Sequence, residues 1–246
     1  MNLIYSQAVC HTLRMNRPAR RGKSPKIKSS LSQASSKAWL STLPVVIIIF
    51  VSLSVYLFLR RGYYNTYIVN KVLGSTAAIL AALSLSAGVL TRWNPRVFSF
   101  LARIRRELGL SAWFFALLHM ATSLLFLNSR FPLSWYQEEL APFFAGIFAV
   151  AIWSILALLS RHDNKSSLSS SLWVFIQSTG ARLAFLFVLV HLVVMKYQGW
   201  IKWFSGLTKQ TSELLHPEYP PASLFVLLIL LSVFVLRIVS WLRSRR

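Results

Sequence analysis

Long apolar runs recur along the chain, and short polar segments separate them. Six runs are long enough to cross about 30 Å of hydrocarbon as α-helices. They lie near residues 43–60, 67–90, 110–128, 141–160, 173–197 and 222–242. No run alternates apolar and polar residues with a period of two, which argues against a membrane β-barrel. The pattern therefore predicts an all-α polytopic membrane protein whose six transmembrane helices form one bundle.

Composition agrees with this pattern and divides the chain into two parts. The chain has 246 residues, of which 55% are hydrophobic and 13% charged, and a soluble domain of this length would be less apolar. Residues 1–40 form a basic, serine-rich segment without acidic residues, which we expect to be a disordered cytoplasmic tail. The same composition is typical of an organellar transit peptide. Residues 41–246 form the predicted six-span domain.

The net charge of +21 reflects how the cations are distributed around the spans. With the N-terminus inside, 18 Lys and Arg residues lie in the inner segments and 7 in the outer segments. The positive-inside rule then predicts a multi-pass protein of the plasma (inner) membrane with both termini in the cytoplasm. An organellar membrane is the alternative that the tail leaves open. Cations placed at span ends indicate contact with membrane lipid and not with nucleic acid.

Several kinds of chemistry have no recognisable motif in the chain. The single cysteine, Cys10, allows neither a disulfide nor a thiolate metal site within one chain. No glycine-rich phosphate loop, zinc-protease motif or serine-hydrolase elbow is present. The chain also contains no flavin or nicotinamide fingerprint.

Two histidines, His119 and His191, lie within predicted spans at matching depth. The third and fifth spans run in the same direction, and each histidine lies nine residues past Leu110 or Arg182 at the inner boundary. Both imidazoles therefore lie about 13–14 Å above that boundary. Two imidazoles at one level are what a six-coordinate heme iron requires.

Spacing alone leaves two other roles open for an intramembrane histidine, namely a hydrogen-bonded packing residue and a step in a proton path. No Asp or Glu lies within a predicted span, which disfavours a proton relay. The remaining histidines, His11, His162 and His216, fall in the tail and loops, where we expect them to be solvated.

Four stretches between residues 67 and 240 resemble the ferric reductase-like transmembrane domain family. The closest likeness within it is to the heme-binding membrane subunit of the periplasmic methionine sulfoxide reductase system. The stretches are "GSTAAILAALSLSAGVLTRWNPR", "RRELGLSAWFFALLHMATSL", "RLAFLFVLVHLVV" and "HPEYPPASLFVLLILLSVFVLRIV". The second contains an arginine pair, a Leu-Gly-Leu turn and the first histidine, and it is the most specific of the four.

The resemblance implies a cofactor and a set of residues that bind it. His119 and His191 would ligate a b-type heme, and Arg105 and Arg106 would lie near a heme propionate or an inner site. Arg182 is a third candidate cofactor-binding residue. The family usually has another histidine thirteen residues before the one that matches His191, but Ser178 stands there, so the sequence predicts one heme. Electrons would pass from a cytoplasmic flavin on a partner protein, or from a membrane quinol, to an acceptor outside.

These observations predict a membrane b-type cytochrome, a six-helix heme-binding bundle that transfers electrons to a partner reductase or acceptor on the outer face. It would be an electron-transfer subunit of an oxidoreductase and not a complete enzyme. A quinone is a further candidate cofactor. The alternatives are a membrane anchor or assembly factor of the same fold that has lost its heme, which Ser178 favours, and a small transporter.

Overall fold

The computed structural model describes the backbone of residues 25–160 and 169–244, and the side chains of residues 36–160 and 169–243. Most of the predicted basic tail, with His11, and the loop that holds His162 lie outside these residues. The membrane bundle belongs to one compact unit, Ala38–Arg246. The helices are α1 (Pro25–Arg61), α2 (Thr66–Trp93), α3 (Pro95–Phe126), α4 (Leu133–Glu138), α5 (Leu140–Leu159), α6 (Ser170–Phe204) and α7 (Ala222–Ser244).

Six of these helices are long and apolar enough to span a membrane within the described part of the chain. They match the six apolar runs in order, and the same residues contain no strand, only an isolated bridge between Thr211 and Leu214. The predicted all-α, six-span fold is therefore confirmed. The short helix α4 was not predicted, because its sequence LSWYQE is too short to show a period.

Helix α3 begins fifteen residues earlier than the third apolar run. Asn94 caps it, since its side chain accepts a hydrogen bond from the backbone N–H of Val97, and Pro95 occupies the first turn. The Leu-Gly-Leu turn predicted at residues 108–110 is wrong, because these residues are helical. Gly109 serves close packing instead, since a Cβ there would lie 3.3 Å from Ser84 Oγ on α2.

The second span, α2, lies at the centre of the bundle. In its most apolar window 67% of the residues are buried, against at most 28% in any other span. It packs mainly against α3 and α7, while α5 packs against α6. The small residues Ala77, Ala78, Ala81 and Ala82 are all buried and let the neighbouring helices approach α2 closely.

Loops at one end of the bundle are tied to the helices beside them. The hydroxyl of Tyr56 donates to the Pro220 carbonyl at 2.6 Å, and the Arg60 side chain donates to the Tyr219 carbonyl at 2.9 Å. Arg130, after α3, forms a 2.7 Å ion pair with Glu213 in the loop between α6 and α7. These contacts order the α6–α7 loop at this end of the bundle.

Candidate functional site

His119 on α3 and His191 on α6 lie close together in the middle of the bundle. Their ring centroids are 6.5 Å apart and the ring planes are inclined at 79°. A metal–imidazole bond is about 2 Å long, and the ring centre lies about 1 Å beyond the nitrogen. Two imidazoles on opposite sides of one metal ion would therefore have centroids about 6 Å apart. The observed spacing matches that arrangement.

A backbone carbonyl fixes the orientation of each imidazole. His119 Nδ1 lies 2.9 Å from the Asn70 carbonyl oxygen, and His191 Nδ1 lies 2.7 Å from the Pro142 carbonyl oxygen. A carbonyl oxygen only accepts hydrogen bonds, so both Nδ1 atoms carry the proton. The Nε2 atom of each ring is then a bare lone pair, which is the form that ligates a metal ion.

Asn70 contributes a second acceptor to His119 through its side chain. Its Oδ1 lies 2.8 Å from His119 Nδ1, while its Nδ2 donates to Ser123 Oγ at 2.8 Å. Because the hydroxyl of Ser123 takes up the amide N–H, the amide oxygen is directed at the imidazole. Residues on α2 and α3 therefore hold the first imidazole in place together.

A glycine lies against each imidazole. A Cβ on Gly74 would lie 3.1 Å from Cε1 and Nδ1 of His119, and a Cβ on Gly146 would lie 3.1 Å from Nδ1 of His191. Both distances are shorter than ordinary van der Waals contact. Each ring therefore needs a residue without a side chain in the facing helix, four positions after the carbonyl that it binds.

The two histidine environments follow the same spacing along the chain. Each carbonyl lies 49 residues before its histidine, in the hairpins α2–α3 and α5–α6 respectively. The sequence alone shows no evident repeat, because only a few positions match between the hairpins. The one feature of the sequence that indicates the repeated environment is a glycine 45 residues before each histidine.

A cavity of about 780 Å³ holds both imidazoles, within the size range of small-ligand and cofactor sites. It extends from the histidines to the end of the bundle covered by the α6–α7 loop. Apolar side chains, both glycines and Met120 and Met195 form much of its wall. Six cations also line it: Arg60, Arg61, Lys71, Lys196, Lys202 and Lys209.

The two lysines beside the histidines, Lys71 and Lys196, have no carboxylate partner among the described residues. The ion pairs seen in residues 36–160 and 169–243 involve Glu107, Glu213 and Glu218, and neither Lys71 nor Lys196 takes part in them. Lys71 Nζ lies 4.1 Å from the ring centre of Tyr67, and Arg61 Nε is buried without a partner. Basic side chains therefore line the cavity beside the histidine pair. Sequence reasoning used these residues only to assign topology.

The three arginines predicted to bind a cofactor lie elsewhere. Arg106 pairs with Glu107 at 3.5 Å and donates to the Ser160 carbonyl at 3.2 Å. Arg105 and Arg182 lie towards the opposite end of the bundle, and none of the three lines the histidine cavity. Their role in cofactor binding stays a prediction.

Ser178 also lies outside that cavity. Its hydroxyl donates to the Phe175 carbonyl of its own helix at 3.2 Å. In the part of the chain that the structure describes, no three His, Cys, Asp or Glu side chains converge as a metal site would need. The histidine pair is therefore the candidate site, and it offers two protein ligands.

Comparison with known proteins gives distant matches. No protein-family model matches the chain. The human protein "Metalloreductase STEAP2" is 29% identical over 202 residues, and the mouse protein of that name is 28% identical over 202 residues. Each match covers 69% of this chain but only 39% of the relative. The likeness to the methionine sulfoxide reductase subunit stays a prediction, whereas these matches show distant homology to a metalloreductase of the ferric-reductase type.

Proposed function

We propose that this chain is a transmembrane b-type cytochrome in which His119 and His191 ligate a single heme. The observation that carries the proposal is the pair of imidazoles 6.5 Å apart, each with its Nδ1 proton held by a backbone carbonyl. Both Nε2 lone pairs are then free, and a metal ion held between the rings would be bound by one from each side.

A porphyrin fits a site with only two protein ligands. It supplies the four remaining ligands of a six-coordinate iron, which the described side chains do not supply. The apolar walls suit a flat macrocycle in the 780 Å³ cavity, and the glycines let each imidazole lie close to the facing helix. When bound, the heme would supply reversible one-electron chemistry, and the protein would orient it and exclude water.

The cationic end of the cavity suits the carboxylates of a heme. Lys71 follows Asn70, which binds His119, and Lys196 lies about one helical turn beyond His191. An unpaired ammonium inside a membrane helix costs about 3 kcal/mol, and a propionate would offset this cost. Lys71, Lys196 and the buried Nε of Arg61 are the proposed propionate-binding groups.

The direction of electron transfer follows from the proposed topology. With both termini inside, the cavity and its cations lie towards the outer face. Homology to a metalloreductase supports a metal complex as the acceptor there. The donor would be a quinol in the bilayer or a flavin on a partner protein. The match covers 39% of the length of these curated relatives.

Optical spectra of the purified chain test the proposal. The reduced-minus-oxidised spectrum should show a low-spin b-type heme, and both His119→Ala and His191→Ala should abolish it, since each removes an axial ligand. His216→Ala is the matched control, because His216 pairs with Glu218 in a loop at 2.7 Å. An unchanged low-spin spectrum in either central variant would reject the assignment.

A further inference from the structure

Three arginines surround one turn of α2 at the end of the bundle opposite the histidine cavity. Arg92 Nε donates to the Gly88 carbonyl at 3.1 Å, and Arg237 Nη2 donates to the Leu85 carbonyl at 3.0 Å. A Cβ on Gly88 would lie 3.6 Å from Arg105 Nη1. Arg182 on α6 is close enough to interact electrostatically with both Arg105 and Arg237. We call Arg92, Arg105, Arg182 and Arg237 the arginine cluster.

No carboxylate in the described part of the chain neutralises this cluster. Glu107, the acidic residue nearest to it in sequence, pairs with Arg106, and Glu213 and Glu218 pair with Arg130 and His216. Four like charges brought together from four helices repel one another. The hydrogen bonds to α2 use one N–H group each of Arg92 and Arg237. A guanidinium has five such donors, so most remain available to an anion.

The surroundings of the cluster are those of a membrane interface. Trp93 ends α2, and Arg243 lies over its ring with the guanidinium carbon 4.8 Å from the centroid. Tryptophan is enriched where lipid headgroups meet the hydrocarbon. Val97 and Ile238, near the cluster in sequence, are exposed apolar side chains that acyl chains would cover.

We infer that the arginine cluster binds the phosphate group of an anionic membrane phospholipid. Planar guanidinium groups donate paired hydrogen bonds to phosphate oxygens, and basic pockets between transmembrane helices on the cytoplasmic side bind acidic headgroups. The lipid neutralises the repulsion among four helices and holds α2, α3, α6 and α7 together at this end. The site is separate from the histidine pair, so it does not depend on heme.

Native mass spectrometry of the full chain in detergent tests this inference. Dioleoylphosphatidylglycerol is compared with dioleoylphosphatidylcholine, which has the same acyl chains and phosphate but no net charge. The anionic lipid should bind about tenfold more tightly, because the arginine cluster repels the choline ammonium that makes the other lipid zwitterionic. Equal affinity for the two lipids would overturn the inference, and this comparison needs no variant.

Variants then locate the site. The double variant Arg105→Gln/Arg237→Gln should abolish the preference for the anionic lipid. The double variant Arg105→Lys/Arg237→Lys should retain part of it, because lysine keeps the charge but lacks the planar guanidinium group. Arg96→Gln with Arg103→Gln is the control, since it removes two exposed cations of α3 outside the cluster. An equal loss in the control would show that the cations act only through net charge. Displacement of bound lipid by equimolar inorganic pyrophosphate would contradict a lipid site, since it would indicate a water-soluble phosphate ligand.

Discussion

Each central histidine uses one ring nitrogen to bind a backbone carbonyl and keeps the other free. A hydrogen bond from Nδ1 to a carbonyl fixes the ring and raises the basicity of Nε2. In His119 and His191 the acceptors are carbonyls of α2 and α5, whose positions cannot change without moving a helix. Side-chain substitution therefore cannot remove these acceptors, but it can displace the rings.

Gly146 allows the test of such a displacement. Gly146→Ala places a methyl group 3.1 Å from Nδ1 of His191, so the ring has to shift or lose its hydrogen bond. We expect the heme content to fall at least severalfold, measured as pyridine hemochromogen per chain. Gly199→Ala is the matched control, because nothing lies within 4 Å of its added Cβ although Gly199 lines the same cavity. Equal heme content in the two variants would mean that the close approach of Gly146 has no role.

The cavity lysines predict a change in redox potential. A cation near the heme favours the reduced iron, so Lys71→Gln and Lys196→Gln should each lower the midpoint potential. The expected shift is on the order of tens of millivolts, for a charge about 10 Å from the iron at an effective dielectric constant of about 20. Redox titration measures this shift. Arg96→Gln removes a charge at the opposite end of the bundle and should leave the potential unchanged. A shift as large in that control would contradict the proposed propionate site.

At the scale of elements, two helical hairpins form the site in the same way. The sequence predicted the helices, because apolar length is a strong signal, and it predicted His119 and His191, because histidine is rare in hydrocarbon. It did not predict Asn70 or Pro142, since a backbone carbonyl can belong to any residue. It did not single out Gly74 as a contact of His119, because small residues in a transmembrane helix most often serve close packing. The histidine that faces this glycine is known only from the fold.

One exposed ion pair, between Arg130 and Glu213, helps to hold the loop that covers the cavity. The hydrogen bond from Arg130 holds the pKa of the Glu213 carboxyl below its usual 4.5. A lowered folded-state pKa means that the pair stabilises the protein above 4.5, and that this contribution is lost as the pH falls through the folded pKa. Glu213→Gln should therefore lower the thermal midpoint slightly at neutral pH, but not in acid.

Thermal unfolding of the wild type and Glu213→Gln across this pH range measures that difference. Raised salt should diminish it at neutral pH, because both side chains are exposed. A difference that persists below the folded pKa would show that Glu213 acts through something other than its charge.

At the scale of the whole molecule, the sequence predicted the bundle better than the cation sites. Counting Lys and Arg gave an orientation, but Lys71 and Lys196 were counted only as outer cations, because their sequence neighbours do not show that they share a cavity. Arg237 lies within the last apolar run, and its contact with Leu85 joins residues 152 positions apart. Such distant pairing depends on how helices pack, which one sequence does not specify.

The topology itself predicts where a reporter should be active. A reporter that works only outside the membrane should be active when fused after Arg130 or Lys209, and inactive after Arg161 or Arg246. The reason is the excess of 18 inner over 7 outer cations. Fusions of a cytoplasmic reporter at the same points should give the opposite pattern. Outside activity at Arg246 would require an odd number of spans and would contradict the proposed orientation.

Low-temperature electron paramagnetic resonance of the oxidised protein, quantified per chain, tests the central claim most directly. Imidazole planes inclined at 79° should give a strongly anisotropic low-spin ferric signal. The account predicts one such signal, at about one spin per chain, because Ser178 offers a hydroxyl where the second histidine would be needed. Absence of a low-spin ferric signal, or two low-spin centres per chain, would contradict ligation of a single heme by His119 and His191.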